Sequence, residues 1–298
     1  MRMGFVGLGI MGGPMARRLL LAGHSVTGHD RSLPAMAALK ESGGVAADSP
    51  RAVAAAADVV MTALPTLAAV REVYEAMRPV ARQGQVFVDH STVDVETSRA
   101  TAASMASRGA AFLDAPMSGG PEGANSGTLT LFVGGDATAF ETALPALRAY
   151  GGTIRLCGPT GSGTVLKLAN QLLVIIHTAA TAEAAVFATR LGADPQVLLE
   201  MVGPSYGGST IFRRHLPRII ARDFKPDGPL RILTKDMSLV RAVADAAGLS
   251  LPLASQVEPL IAEAIGRGMG DEDMSALVKL YEERSGTQVR RPAEPPPD

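Results

Sequence analysis

The first thirty residues confine this chain more than any other stretch. An apolar run, 3–6, passes into Gly7-Leu8-Gly9-Ile10-Met11-Gly12 and then into a pattern of helical period that ends at Gly23. Strand, glycine turn and helix in that order form the setting a dinucleotide-binding fingerprint requires. Gly7 permits the tight turn, Gly9 lets backbone approach a pyrophosphate, and Gly12 lets the helix lie close against the strand. The helix start offers unpaired N–H groups and a positive dipole end to the phosphates. A second apolar run, 25–28, ends in His29-Asp30. Asp30 thus falls about 20 residues downstream, where the fingerprint expects an acid for the ribose hydroxyls. Taken alone, Asp30 could be an ordinary surface acid; strand, glycines, helix, strand and acid in register favour the nucleotide site.

Short apolar runs continue to about residue 160, alternating with helical stretches in the rhythm of a parallel α/β sheet. They fall at 3–6, 25–30, 58–64, 86–89, 111–114, 129–133 and 153–156. Ser49-Pro50 has the form of an N-cap followed by Pro at N1, and Asp136 that of an N-cap for a helix running to Tyr150. Strand ends in such a sheet line a ligand crevice, which makes Leu64-Pro65-Thr66 and His90-Ser91-Thr92 candidate cofactor loops. The competing reading is structural: Pro65 ends a strand, and Ser91 with Asp94 has the spacing of a capping box.

After Gly163 the rhythm changes. Residues 164–191 contain no Pro or Gly, and Gly192 stands where a helix C-cap belongs. A helix of that length, about 40 Å, predicts a strut between domains. Beyond it strand alternation is lost, and 196–202, 213–222, 234–247, 253–267 and 274–283 carry helical patterns. The expected architecture is an N-terminal Rossmann-like, doubly wound parallel sheet (1–162), an all-helical C-terminal domain (163–285) joined through the long helix, and a disordered proline-rich tail (286–298). The first polar residues of the long helix, Lys167, Asn170 and Gln171, share one face. A partly desolvated Lys beside an amide suits acid/base work, because burial disfavours the charged ammonium. The alternative is a snorkelling Lys with Asn170 and Gln171 on a solvated outer face.

Composition excludes several classes. A net charge of -1 gives no electrostatic case for nucleic acid or an anionic membrane. The lone Cys157 cannot form an intrachain disulfide framework, and it suits a reducing, cytoplasmic compartment. With no His near it in sequence, Cys157 reads as a packed strand-end residue rather than a nucleophile. The N-terminus lacks the basic flank of a signal peptide, and no run of 18 apolar residues free of charge and Gly occurs, so no segment is expected to span a membrane. His24, His29, His90, His177 and His215 lie on separate elements without metal-ligand spacing, so no metal is expected.

Four motifs, in order, extend the argument to almost the whole chain. They are 4–16 (Gly-Phe-Val-Gly-Leu-Gly-Ile-Met-Gly-Gly-Pro-Met-Ala), 114–120 (Asp-Ala-Pro-Met-Ser-Gly-Gly), Gly161-Ser162-Gly163 with Lys167-Leu168-Ala169-Asn170-Gln171, and Lys235-Asp236. The chain thereby resembles the β-hydroxyacid dehydrogenase family, which contains 3-hydroxyisobutyrate dehydrogenase and tartronate semialdehyde reductase. The resemblance implies that Lys167 is the catalytic acid/base with Asn170 beside it, and that Ser118, Gly119, Gly120, Gln171 and Lys235 bind substrate. It further implies that Gly7, Leu8, Gly9, Ile10, Met11, Gly12, Asp30, Arg31, Leu64, Pro65, Thr92 and Lys235 hold the cofactor. Asp30 suits the ribose diol of NAD, whereas Arg31 could bind the 2′-phosphate of NADP; NAD is favoured.

The implied reaction is reversible hydride transfer between a nicotinamide and a small 3-hydroxy acid or its semialdehyde, of the tartronate semialdehyde or 3-hydroxyisobutyrate type. Met117 and Gln171 depart from the commoner residues of relatives, and both are expected at the substrate pocket. An L-threonate dehydrogenase-like activity, or reduction of succinic semialdehyde or sulfolactaldehyde, therefore stands as an alternative. A non-catalytic dinucleotide-binding sensor is the alternative of another class. Relatives also imply a homodimer or homotetramer built through the helical domain.

Overall fold

The computed structural model describes residues 1–291, and Pro292 and Pro295-Pro296-Pro297 of the expected tail lie outside the described residues. The chain divides into two compact units, Met1–Leu168 and Ala169–Asp298.

The first unit is built on nine strands: β1 (Arg2–Val6), β2 (Ser25–His29), β3 (Val45–Ala46), β4 (Val59–Thr62), β5 (Val86–Asp89), β6 (Ala111–Asp114), β7 (Met117–Ser118), β8 (Leu129–Gly135) and β9 (Gly151–Gly158). Helices α1 (Gly12–Leu21), α2 (Leu33–Glu41), α3 (Pro50–Ala56), α4 (Leu67–Met77), α5 (Val95–Ala106), α6 (Gly120–Ser126) and α7 (Ala137–Leu147) lie between them, and α8 (Ser162–Arg190) follows. The strand order is β3-β2-β1-β4-β5-β6-β8-β7, with β9 paired to β8. Its first six strands run parallel in the order of a Rossmann sheet.

Alternation along each strand covers both faces. Met3, Phe5, Val59, Met61, Val86 and Val88 pack with α1 and α7 residues such as Met15, Leu19 and Phe140. Val6, Val60 and Phe87 pack with Val53 of α3, Val70 and Tyr74 of α4 and Met105 of α5. Period-2 side chains buried on both faces explain why these strands read as continuous apolar runs.

The parallel expectation fails beyond β6. β8 runs antiparallel to both β6 and β7, and β9 is parallel to β8. Only Ala115-Pro116 separates β6 from β7, so the chain keeps its direction, and the short return through α6 brings β8 back beside both. The two-residue strands β3 and β7 gave no apolar run long enough to read. The cap signals were accurate: Ser49 Oγ accepts from Ala52 N, and Asp136 accepts from Ala139 N. The capping-box reading of Ser91 is overturned, because Asp94 itself caps α5 by accepting from Thr97 N at 2.6 Å.

The second unit holds the rest of α8 with α9 (Pro195–Val202), α10 (Thr210–Ala221), α11 (Arg231–Ala246), α12 (Pro252–Gly266) and α13 (Val278–Ser285). α8 ends in a Schellman motif: Gly192, at φ +89°, donates to Thr189 O and Ala193 to Ala188 O. α10 starts three residues before the expected 213, because Ser209 caps it by accepting from Phe212 N. By length and composition alone α8 could cross a membrane. Part of its apolar surface is covered by two cores, Ile175 and Ala179 with Leu233, Met237 and Ile261, and Ala182 and Val186 with Phe212 and Leu216, while Val165, Leu166, Leu173 and Phe187 are exposed. The tail expected from residue 286 does not begin there. Val289 is fully buried in the second of these cores, and its N–H donates to Glu282 Oε1 at 2.8 Å.

Candidate functional site

Parallel strands in register bring their carboxyl ends to one edge of the sheet. Val6 is aligned with His29 and Thr62, Thr62 with Asp89, and Asp89 with Asp114. The residues that follow each strand are therefore neighbours: Gly7, Asp30, Ala63-Leu64 and His90-Ser91-Thr92. Backbone bonds stitch them together, with Gly7 N donating to His29 O, Ala63 N to Val6 O, His90 N to Thr62 O and Ala115 N to Asp89 O at 2.7–3.0 Å.

The glycine turn meets each geometric demand of a pyrophosphate cradle. Gly7 lies at φ +91°, where other residues are strained. A Cβ on Gly12 would fall 1.8 Å from Gly7 O and 2.8 Å from Phe5 Cε1, so only glycine lets α1 start this close to β1. A Cβ on Gly9 would meet nothing within 4 Å among the described residues, which leaves room in front of that backbone. Leu8 is buried beneath the turn and Ile10 is exposed at its rim. These features fit a dinucleotide.

Asp30 does more than face outward. Its Oδ2 accepts from Leu8 N at 2.6 Å and its Oδ1 from Ser32 N at 2.7 Å, tying the glycine turn to the start of α2. A carboxylate has acceptor sites beyond two, so capacity remains for a ribose diol. Arg31 is paired with Glu72 of α4, both carboxylate oxygens lying 2.6 Å from its Nη2. Pro65 is exposed, and Leu64 and Thr92 are half-buried. Leu64 N donates to Ser91 Oγ at 2.9 Å, which joins the two candidate cofactor loops directly.

Ser118 ends β7 opposite Thr130. Gly119 and Gly120 follow at φ +127° and +63°, a backbone path that needs glycine. Lys167 lies in the second turn of α8 and is buried, 8% exposed, which overturns the snorkelling reading. In the second unit, Asn170 Nδ2 donates to Gln171 Oε1 at 3.0 Å, and Gln171 Nε2 donates to Asp236 Oδ2 in a short bond. Gln171 is also buried, so it is not part of a solvated outer face. The neighbouring Lys235 Nζ sits 3.4 Å from Asp236 Oδ1, in ion-pair range.

Three carboxylates absent from the expected set shape these groups: Asp89, Asp114 and Asp236, each buried. Burial pushes the Asp89 and Asp114 carboxyls above the usual carboxylate range, and the hydrogen bonds each accepts pull the other way. Asp114 and Asp236 stand within two of the four motifs without an assigned role, and Asp89 shows in sequence only as a strand-ending acid. Three of the histidines have protein partners: His90 lies between Ala115 O and Tyr150 Oη, His29 contacts Ala47 O, and His215 contacts Thr178 and Arg214. Partial burial raises the Cys157 thiol, which makes it less reactive.

Comparison with known proteins places two family models end to end. Residues 2–158 match the NAD-binding domain of 6-phosphogluconate dehydrogenase, and residues 161–281 match the NAD-binding domain of NADP-dependent 3-hydroxyisobutyrate dehydrogenase. The chain is 34% identical to 2-(hydroxymethyl)glutarate dehydrogenase of Eubacterium barkeri, over 97% of each protein. It is also 34% identical to 2-hydroxy-3-oxopropionate reductase of Escherichia coli, over 95% of this chain and 97% of that one. Among solved structures, 3-hydroxyisobutyrate dehydrogenase of Mycobacterium tuberculosis with L-serine superposes with a TM-score of 0.87 at 33% identity, covering 94% of this chain and 98% of that one.

Proposed function

The chain belongs to the β-hydroxyacid dehydrogenase family and is an NAD(P)-dependent oxidoreductase of hydroxy acids; we propose that it interconverts a small 3-hydroxy acid and its semialdehyde with Lys167 as the acid/base. The observation that carries this reading is the burial of Lys167 on a helix whose first turn is bonded to the sheet edge bearing the glycine turn. When bound, the nicotinamide supplies or accepts the hydride. Lys167 Nζ gives its proton to the oxygen of the aldehyde as negative charge develops there, and takes it back in oxidation. Asn170, one helical turn on, is oriented by Gln171 and keeps further polar capacity for its expected role beside the acid/base. The Ser118 hydroxyl and the N–H groups of Gly119 and Gly120 hold the substrate carboxylate.

NAD is the proposed cofactor. Asp30 repels a 2′-phosphate, and Arg31, the one cation beside it in sequence, is engaged by Glu72. A dimer or tetramer is proposed through the helical unit, where Phe187, Leu191, Val197 and Met201 expose 67%, 70%, 52% and 66% of their surface. A cytoplasmic location is proposed from the single, unpaired Cys157.

The test is NADH and NADPH oxidation, side by side, against tartronate, methylmalonate and succinic semialdehydes and sulfolactaldehyde, then L-threonate oxidation, with Lys167→Ala as control. Turnover with NADH that disappears in the variant is expected. NADH binding without turnover of any of these would transfer the reading to a dinucleotide sensor. Size-exclusion mass at working concentration reads the oligomer, and a monomer overturns that part.

A further inference from the structure

Two buried carboxylates stand side by side at the functional edge of the sheet. Asp89 and Asp114 are register partners at the ends of β5 and β6, and each is 2% exposed. Placing two acids together in a core is costly, and each is retained by donors drawn from a different direction. On Asp89, Oδ1 accepts from Thr62 Oγ1 at 2.7 Å, Ser91 Oγ at 2.6 Å and Ser91 N at 3.1 Å. On Asp114, Oδ1 accepts from Gly161 N at 2.7 Å, and Oδ2 from Thr164 N at 2.8 Å and Thr164 Oγ1 at 3.0 Å.

We propose that this pair divides the placement of the reacting groups: Asp89 positions the cofactor loops, and Asp114 positions Lys167. The proposal rests on the reading of Leu64, Pro65 and Thr92 as cofactor contacts and of Lys167 as the acid/base. Ser91 donates its hydroxyl hydrogen bond to Asp89, which turns the oxygen's lone pairs toward Leu64 N, 2.9 Å away. One carboxylate oxygen thus fixes the loop after β5 directly and the loop after β4 through Ser91. Thr62, the last residue of β4, is held from its other side by Tyr74 Oη at 3.0 Å.

Asp114 acts on the start of α8, where backbone N–H groups have no partner within the helix. It takes two of them and the Thr164 hydroxyl, which also meets Ser98 Oγ at 2.9 Å. The first turn is pressed onto the sheet so tightly that a Cβ on Gly163 would fall 2.1 Å from Phe132 O and 2.8 Å from Asp114 O. Lys167 follows Thr164 by one turn on the same helix face, so the direction of its side chain is inherited from this anchor.

The experiment measures NADH Kd, kcat at saturating NADH and Tm on the full-length protein for Asp89→Ala, Asp89→Asn, Ser91→Ala, Asp114→Ala, Thr164→Val and Lys167→Ala. For Asp89→Ala and Ser91→Ala the expected effect falls on NADH Kd, which rises about fivefold or more, and Asp89→Asn recovers part of it by keeping Oδ1 as acceptor. For Asp114→Ala it falls on kcat, which drops about tenfold or more with NADH Kd within about twofold, because displacements of an ångström at a reacting group cost this much. Thr164→Val shows the same split at smaller amplitude, and with Ser91→Ala it decides the matter if the aspartate variants do not fold. A purely stabilising role would move both parameters together in step with Tm, and that result overturns the proposal. Normal kcat in Asp114→Ala while Lys167→Ala is inactive overturns the proposal alone. Turnover retained by Lys167→Ala overturns the acid/base reading, and the part of Asp114 with it.

Discussion

Alanine at Gly9 and alanine at Gly12 should separate the two duties of the glycine turn. At Gly12 the new methyl carbon falls 1.8 Å from Gly7 O. A carbon–oxygen contact needs about 3.3 Å, so α1 must retreat from β1 by roughly 1.5 Å, at the upper end of the 1–3 kcal/mol typical of overpacking. For a unit of this size about 3 kcal/mol lowers Tm by about 6–12 °C. At Gly9 the methyl carbon meets nothing within 4 Å among the described residues. Stability should stay within about 0.5 kcal/mol, or rise slightly as the unfolded chain loses freedom. If the space before Gly9 is where the pyrophosphate lies, that same methyl should weaken NADH by at least about tenfold, or 1.4 kcal/mol. Thermal unfolding without ligand and NADH fluorescence titration read the two effects. Gly9→Ala with unchanged Tm and unchanged NADH affinity would refute the cradle, and Gly12→Ala with wild-type Tm would refute the steric argument.

Further outcomes follow from charges and their partners. His90 is fully buried and neutral, its pKa lowered to about 4 by burial, so the unfolded chain binds its proton near pH 6.5 and the folded one does not. Stability should therefore fall by about 3 kcal/mol as pH drops from 6.5 to about 4 and be independent of this group above 6.5; His90→Gln should flatten that part of a denaturation profile. Asp273, fully buried, accepts from Arg214, Gly228 N and Ser275, and these partners hold its carboxyl well below the usual range. Asp273→Asn should cost about 3 kcal/mol in chemical denaturation by leaving the partly buried Arg214 with only its longer contact to Asp227; a loss under about 1 kcal/mol would contradict the assignment. Glu72→Gln frees Arg31 from an exposed pair worth at most about 1 kcal/mol, so kcat/KM with NADPH should rise no more than about fivefold, and no rise at all would mean that Glu72 does not restrain Arg31.

What the sequence disclosed was whatever is coded locally. Gly7, Gly9, Gly12 and Asp30 declared themselves because a turn, a close approach and a strand end each demand a residue type within one βαβ unit. Ser49 and Asp136 declared helix starts because capping is a contact across three residues. Ser91 misled for the same reason: its spacing to Asp94 imitates a capping box, whereas its hydroxyl is bound to Asp89 and to a loop 27 residues away in sequence. Lys167 could not be settled by pattern, since α8 is apolar around much of its circumference and offers no outer face to read against. Asp89 and Asp114 looked like strand-ending acids because donors that justify burying them come from distant segments, Thr62 for Asp89 and Thr164, 50 residues away, for Asp114, and because the nearby Ser91 reads as a helix cap. The turn from a parallel to an antiparallel arrangement at β8 was hidden by the shortness of β7, two residues with no alternation to count.

The alignment of strand ends at Val6, His29, Thr62, Asp89 and Asp114 also decides where this chain can change length. One residue inserted within β5 would turn Val86 and Val88 to the face now held by Phe87 and would shift the loop after it along the edge by about 3.3 Å, beyond the reach of Ser91 for Leu64 N. The same insertion at Gly84, where a side chain would meet nothing within 4 Å among the described residues, disturbs neither packing nor loop. Insertions and deletions should thus be tolerated where chains enter this sheet and rejected where they leave it, so that the two edges carry opposite freedom to vary in length.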